Sequence, residues 1–245
     1  MPLTLATVSP GEPEIFASLQ GEGPSQGKPC AFVRLSRCNL ACQWCDTAYT
    51  WRFEGDNRPH RSGQTYERKA NQVSLSEEQV AQRIAALGQP RLVVTGGEPL
   101  LQAGALARML ALLPPGLAVE VETNGTVAPP AALDALVTQY TVSPKLAHSG
   151  NAAELALVPE RLAHWAREPR AVFKFVIAEP GDVAEALALA ERLAIARTRI
   201  WLMAEGTDAA TLRAREVWLA QECLDQRLTL SKRLHIELYG DTRGT

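Results

Sequence analysis

Residues 76–99 read Ser76-Glu77-Glu78-Gln79-Val80-Ala81-Gln82-Arg83-Ile84-Ala85-Ala86-Leu87-Gly88-Gln89-Pro90-Arg91-Leu92-Val93-Val94-Thr95-Gly96-Gly97-Glu98-Pro99, and this stretch decides the fold class. Ser76 with Gln79 three residues on is a capping box that opens a helix. Val80, Ile84 and Leu87 then line one helical face, and Gly88 supplies the stop. The short apolar run 91–95 suits a buried strand, which Gly96-Gly97-Glu98-Pro99 ends.

Working outward, the same unit recurs. Helices are predicted over 102–113, 130–137, 159–167, 182–196 and 207–224. Strands are predicted over 118–123, 140–143, 171–178, 199–204 and 234–239, and upstream the first strand is 31–36. Such alternation implies a parallel sheet with right-handed crossovers. About six strands are fewer than the eight that close a full barrel. The expected fold is therefore α/β: a partial, incomplete TIM-like barrel of about six parallel strands with helices outside, residues 1–245 forming a single domain. A flat doubly wound sheet is the alternative. Either fold places its ligand site at the C-terminal ends of the strands. The unusual residues gather there: the cysteines after the first strand, Gly96-Gly97-Glu98-Pro99, Asn124-Gly125-Thr126, Pro144-Lys145 and Glu205-Gly206.

The cysteine loop is Cys38-Asn39-Leu40-Ala41-Cys42-Gln43-Trp44-Cys45, followed by Asp46-Thr47. Five cysteines, three of them within eight residues, make a poor disulfide framework. Thiolates hold iron–sulfur clusters, and a four-iron cluster has four ligand positions, so three cysteines leave one iron for another partner. Zinc is a rival, with His60 or His148 as a fourth ligand. Redox chemistry at Cys42-Gln43-Trp44-Cys45 is another. Cys30 and Cys223 read as packing cysteines.

The 245 residues carry a formal net charge of -2, against bulk nucleic-acid binding, and no apolar run reaches membrane-spanning length. The start of the chain lacks the basic-then-apolar pattern of a signal peptide, so a cytoplasmic protein is expected. Residues 1–29, with Gly21, Gly23 and Gly27, read as a surface loop. Residues 51–73 read as a polar insertion, a lid or binding loop. Arg34 is a charge inside the first strand, so it lies on a solvent face or points into a cavity towards a carboxylate.

The loop resembles the C-x-x-x-C-x-aromatic-C motif of the radical S-adenosyl-L-methionine (SAM) superfamily, with Trp44 at the aromatic position. A narrower resemblance, to the 7-carboxy-7-deazaguanine synthases, rests on several segments. These are Glu14-Ile15-Phe16, Leu19-Gln20-Gly21-Glu22-Gly23, Phe32-Val33-Arg34, Cys45-Asp46-Thr47, Val94-Thr95-Gly96-Gly97-Glu98-Pro99, Glu122-Thr123-Asn124-Gly125-Thr126, Ser143-Pro144-Lys145 and Tyr239-Gly240-Asp241-Thr242-Arg243-Gly244-Thr245. The resemblance implies a lyase that contracts 6-carboxy-5,6,7,8-tetrahydropterin to 7-carboxy-7-deazaguanine with loss of ammonia, feeding queuosine and related 7-deazapurines. Its implied cofactors are a [4Fe-4S] cluster on Cys38, Cys42 and Cys45, SAM, and Mg2+ on Thr47. Reductive cleavage of SAM would release a 5′-deoxyadenosyl radical, so no side chain is implied as a catalytic acid or base. Leu19, Gln20, Gly21, Arg34, Thr95 and Thr245 would bind substrate. Gly97, Glu98, Ser143, Pro144 and Lys145 would bind SAM. An electron donor such as flavodoxin or ferredoxin and a homodimer are also implied, with neither nucleic acid nor membrane as partner. The segment Met203-Ala204-Glu205-Gly206 departs from the Gln-Pro found at the corresponding place in some relatives. Other readings are a different radical SAM enzyme, such as a glycyl-radical-enzyme activase, or a zinc-stabilised binding module.

Overall fold

A computed structural model describes residues 2–245. Strands occur in the order β1 (Leu3–Ser9), β2 (Glu12–Pro13), β3 (Ile15–Leu19), β4 (Pro29–Leu35), β5 (Gln72–Leu75), β6 (Arg91–Gly96), β7 (Ala118–Thr123), β8 (Gln139–Val142), β9 (Ala171–Ile177), β10 (Ile200–Ala204) and β11 (Thr229–Ser231). The helices are α1 (Arg68–Asn71), α2 (Glu77–Ala86), α3 (Ala103–Leu110), α4 (Ala131–Asp134), α5 (Ala153–Ala156), α6 (Pro159–Arg167), α7 (Pro180–Arg192), α8 (Ala209–Gln226) and α9 (Leu234–Tyr239). The capping box at Ser76 and Gln79 opens α2 as expected.

Strands β4, β6, β7, β8, β9, β10 and β11 run parallel in that spatial order, and β11 is an edge. The sheet is thus an unclosed barrel with helices outside. Residues 234–239 are a helix, not the expected strand, and the last parallel strand is β11 just before it. In Leu234-His235-Ile236-Glu237-Leu238-Tyr239, alternation suggested a strand, but Ile236 alone is buried and the segment coils into a turn and a half. The expected loop 1–29 is a second correction. Here β1 and β3 pair antiparallel with β4, and β2 and β5 pair with β1. Beyond the turn at Pro10-Gly11, the strand-free stretch lies around Gly21–Gly27 and includes a short 3-10 turn at Gly23–Ser25, while β1 carries Leu3 and Leu5 into the core. Residues 51–73 contain α1 and the first residues of β5.

Alternation along each parallel strand separates two environments. Val33, Leu35, Leu92, Val94, Val119, Val121, Tyr140, Phe173 and Phe175 face outward into the apolar core, which α2, α3, α6, α7 and α8 complete through residues such as Ile84, Leu106, Trp165, Val183 and Leu219. The residues between them face the barrel interior and are largely polar. Register puts Arg34 beside Thr95 and Glu122 beside Thr141, so the interior groups stand in rows near the strand ends. The open side is stitched by hydrogen bonds from Gly23 N to Ser231 Oγ (2.9 Å) and from Leu234 N to Gly21 O (2.9 Å).

Candidate active site

Beyond β4 the chain passes through Arg37, whose φ is +79°, into the cysteine loop. The end of β6 is laid against this turn: Gly97 N donates to Leu35 O (3.0 Å) and Glu98 N to Arg37 O (2.9 Å). A Cβ on Gly97 would lie 2.1 Å from Arg37 O and 3.0 Å from Cys38 Cβ, so only glycine allows this approach. From the other side, Asn39 donates to Thr126 Oγ1 (2.8 Å) and accepts from Asn124 Nδ2 (3.0 Å). The rim signals 96–99 and 124–126 therefore grip the cysteine loop itself.

Burial pushes the Cys38 thiol up to about 12 and that of Cys45 to about 11, and it raises Cys42 too. Desolvated thiolates call for a positive centre, which bound iron supplies. N–H groups already point at the sulfurs: Leu40 N to Cys38 (3.4 Å), Asn151 Nδ2 to Cys42 (3.3 Å) and Trp51 Nε1 to Cys45 (3.4 Å). Among the described residues no three His, Cys, Asp or Glu side chains converge as ligands of one ion. That opposes the zinc alternative, whose donors must meet within bonding distance of a single centre. His60 is held at both ring nitrogens, by the Cys45 carbonyl (2.9 Å) and Ser62 Oγ (2.8 Å), and His148 bonds the Val176 carbonyl through Nε2 (3.0 Å) while its ring stacks on Trp44. Three thiols on the wall of one cavity, each facing an N–H donor, suit a cluster in which each thiolate takes its own iron. Cys30 and Cys223 are buried packing residues, as expected.

The cysteines open onto a cavity of about 220 Å³. Its walls include the expected substrate residues Leu19, Gln20, Gly21, Arg34, Thr95 and Thr245. Gly97, Ser143, Lys145 and Thr47 also line it. Glu98 and Pro144 do not. Glu98 is fully buried, and its carboxylate accepts from Leu100 N (2.9 Å), Thr123 Oγ1 (2.9 Å) and Asn124 N (2.7 Å). Burial raises its pKa to about 7 against these donors. Its side chain braces the rim, and the backbone of the glycine pair faces the cavity. Trp44 also lines the cavity, and its Nε1–H has no hydrogen-bond partner among the described residues. Beside it Lys145 Nζ sits 5.6 Å from the ring centroid and 2.9 Å from Ser143 Oγ. An orphaned donor, an ammonium and a hydroxyl next to the sulfurs suit a polar, carboxylate-bearing cofactor such as SAM.

Across the cavity, Arg34 points inward, paired with the buried carboxylate of Glu14 (2.8 Å), which also accepts from Tyr49 Oη (2.9 Å). Glu122 receives Thr95 Oγ1 (2.8 Å) and Gln20 Nε2 (3.2 Å). Glu22 pairs with Lys174 and with Arg233 (Nε to Oε1, 3.2 Å), and Arg233 bonds Asp46 as well. Burial alone would raise the Glu22 carboxyl, but Lys174, Arg233 and His235 outweigh it and hold it well below the usual range. A Cβ on Gly21 would lie 2.2 Å from His235 Nδ1, so this glycine lets α9 seat against the loop. Glu22, Glu122, Lys174, Arg233 and His235 are not among the site residues expected from the sequence. The rule that marks Arg34, a charge within a buried strand, marks Lys174 and Glu122 equally.

Thr47 offers a hydroxyl to the cavity, 3.6 Å from Cys45 Sγ. The neighbouring Asp46 is committed to Arg233. One hydroxyl suits Mg2+, which keeps waters and takes substrate oxygens for the rest of its shell. Residues 240–245 close one side: the Arg243 guanidinium lies 3.6 Å from the Tyr49 ring centroid and 5.7 Å from that of Tyr66, and it donates to Asn71 Oδ1 (2.9 Å). Glu205, in the segment that departs from relatives, lines the cavity and pairs with Arg61 (3.1 Å) and Arg215 (2.5 Å).

A partial barrel with three desolvated thiols at the strand ends and a polar cavity beside them defines a radical SAM enzyme, and the Radical SAM superfamily profile matches residues 33–145. SuiB of Streptococcus suis, bound to S-adenosylmethionine, shares the fold at a TM-score of 0.52 and 12% identity, covering 80% of this chain and 48% of that one. The chain belongs to the 7-carboxy-7-deazaguanine synthase family. It is 38% identical to the family member of Pyrobaculum aerophilum over 94% of this chain and 95% of the relative, and 35% identical to that of Hyperthermus butylicus over 91% and 90%. QueE from Escherichia coli superposes with a TM-score of 0.63 at 25% identity, covering 95% of both chains.

Proposed function

We propose that the protein works as a single radical SAM domain and converts 6-carboxy-5,6,7,8-tetrahydropterin to 7-carboxy-7-deazaguanine, releasing ammonia, within 7-deazapurine (queuosine) biosynthesis. One observation carries this reading: the cavity that holds the cysteine sulfurs also presents the Arg34 guanidinium and, among its acidic groups, the Glu22 and Glu122 carboxylates. Arg34 keeps free N–H groups for a substrate carboxylate after pairing through Nε with Glu14. The carboxylates and the Gln20 amide suit the donor-rich aminopyrimidine edge of a pterin.

The cluster, SAM and Mg2+ supply one-electron chemistry and a charge clamp on substrate oxygens when bound. The chain's residues bind, orient and exclude water. Gly97, Ser143, Lys145 and Trp44 hold SAM beside the sulfurs, with Glu98 and Pro144 shaping that wall from behind. Leu19, Gln20, Gly21, Thr95 and Thr245 hold the pterin, and Thr47 holds Mg2+. Residues 240–245 shield the reacting centre, which suppresses side reactions with solvent. A glycyl-radical-enzyme activase needs an open face for a protein loop; the tail held by Arg243 across this cavity argues for a small substrate.

No helix among the described residues is long and apolar enough to cross a membrane. A cytoplasmic location fits the free thiols of all five cysteines. We extend the proposal to a flavodoxin- or ferredoxin-type donor and to a homodimer, for which Val217 and Leu224, exposed seven residues apart on α8, offer an apolar face. The deciding experiment is an anaerobic assay with reductant, SAM and the carboxypterin. Formation of the deazaguanine is expected. Cluster-loaded protein that binds the carboxypterin but never yields the deazaguanine overturns the reading.

A further inference from the structure

We propose that Trp51 and Asn151 are positioning residues that set the reduction potential of the cluster, by donating N–H hydrogen bonds to the sulfurs of Cys45 and Cys42. The inference rests on the cluster reading above. Trp51 Nε1 lies 3.4 Å from Cys45 Sγ, and Asn151 Nδ2 lies 3.3 Å from Cys42 Sγ. Both are within the range of an N–H···S bond, and both donors come from outside the cysteine loop.

Each donor is held in place by its own surroundings. Asn151 Oδ1 accepts from Ala41 N (2.9 Å), which fixes the amide relative to the loop it serves. The turn before it supports the same loop, since Ser149 O accepts from Gln43 N (2.9 Å). The Trp51 indole is buried, with the Arg58 guanidinium 4.7 Å from its centroid and the His60 ring edge-on at 6.1 Å. His60 Nε2 also bonds the Cys45 carbonyl at 2.9 Å, and Arg61 N donates to Gln43 O at 2.7 Å. This gives the polar segment after the cysteines a task. It covers Trp51 and ties its own backbone to that of the cysteine loop, so the N–H···S contact is held in place.

The direction follows from electrostatics. Reduction adds negative charge that spreads onto the sulfurs, and a hydrogen-bond donor there stabilises the reduced state and raises the potential. Removing a donor lowers it. The test is an EPR redox titration of the reconstituted protein without SAM, comparing Trp51→Phe and Asn151→Leu with the parent. Trp51→Phe keeps an aromatic ring against Arg58 and His60 but removes the donor. Trp44→Phe is the control, because the same chemical change is made within the cysteine loop itself, on an N–H that bonds no sulfur.

The expected result is four irons per chain retained, with the reduced-to-oxidised ratio at a fixed potential falling several-fold in each donor variant. A full tenfold fall corresponds to about 59 mV for a one-electron couple. A shift in Trp51→Phe no larger than that in Trp44→Phe overturns the proposal, as does a rise in potential. Cys42→Ala separates this from failure of the cluster reading. If that variant keeps the parent's iron content and EPR signal, the ligand set itself is wrong. If it loses them while the donor variants titrate like the parent, only the tuning role is refuted.

Discussion

Replacing Gly97 with alanine tests how the rim builds the cofactor site. The added Cβ would sit 2.1 Å from Arg37 O, 2.6 Å from Arg37 C and 3.0 Å from Cys38 Cβ. Reaching ordinary contact at 3.4 Å requires the Arg37 carbonyl to retreat by about 1.3 Å, and the atoms in the way are backbone, which cannot swing aside as a side chain would. That retreat pulls on the bonds Gly97 N to Leu35 O and Glu98 N to Arg37 O, and it displaces Cys38, the first of the proposed cluster ligands. Overpacking of this kind costs about 1–3 kcal/mol. For a chain of this length about 2 kcal/mol lowers Tm by roughly 4–8 °C. Iron bound after anaerobic reconstitution should fall well below that of the parent, and SAM affinity should fall with it. Gly104→Ala is the matched control. Gly104 lies in α3, where a Cβ would meet only Arg108 Nη1 at 3.8 Å, so that variant should gain about 0.5–1 kcal/mol from helix propensity. Iron content and calorimetric Tm are the readouts. A Gly97→Ala protein with parental iron, parental SAM affinity and unchanged Tm refutes the close-approach argument.

Two further outcomes bear on the charged walls. Glu22 is ionised in the fold and its pKa is depressed below the ordinary 4.5, so its stabilising contribution is full above about pH 4.5 and is lost as pH falls below that. Glu22→Gln leaves Lys174 without its partner and should cost about 3–5 kcal/mol near pH 7, with the gap from the parent closing in acid; urea melts from pH 7 to pH 3 showing a constant gap would contradict this. Arg243→Ala releases residues 240–245 by removing a contact with Tyr49 worth about 0.5–2 kcal/mol, so KM for the pterin should rise about 2- to 30-fold while the iron content stays parental. Arg243→Lys should not restore it, because an ammonium neither stacks flat on the ring nor presents the guanidinium fork.

Much of the parallel half was legible because period and punctuation agree there. Between Ser76 and Pro99 the cap, the apolar face and the glycine pair each point to one helix and one strand, and the structure forms both. The antiparallel half was not legible. Gly21, Gly23 and Gly27 make the first residues look like a loop, whereas pairing with β4 and burial of Leu3 and Leu5 make most of them strands. Residues 234–239 alternate as a strand does, yet of Leu234, Ile236, Leu238 and Tyr239 only Ile236 is buried, and the segment forms a short helix.

The cysteine loop shows the same division. Its spacing, the aromatic at Trp44 and the rim motifs settle the class of chemistry without coordinates, because cluster ligation depends on residue type and local separation. The donors to its sulfurs, and the pairing of Glu22 with Lys174 and Arg233, were decided only by tertiary structure. Asn151 stands 109 residues from Cys42, and Arg233 stands 187 from Asp46. Such pairs follow from parallel register and from the seam across the open barrel, and no local pattern encodes a partner so far along the chain. The sequence thus determined the class of chemistry. The fold decided which side chains hold the sulfurs and the charged groups, since burying a charge or a sulfur requires a partner that only packing can deliver.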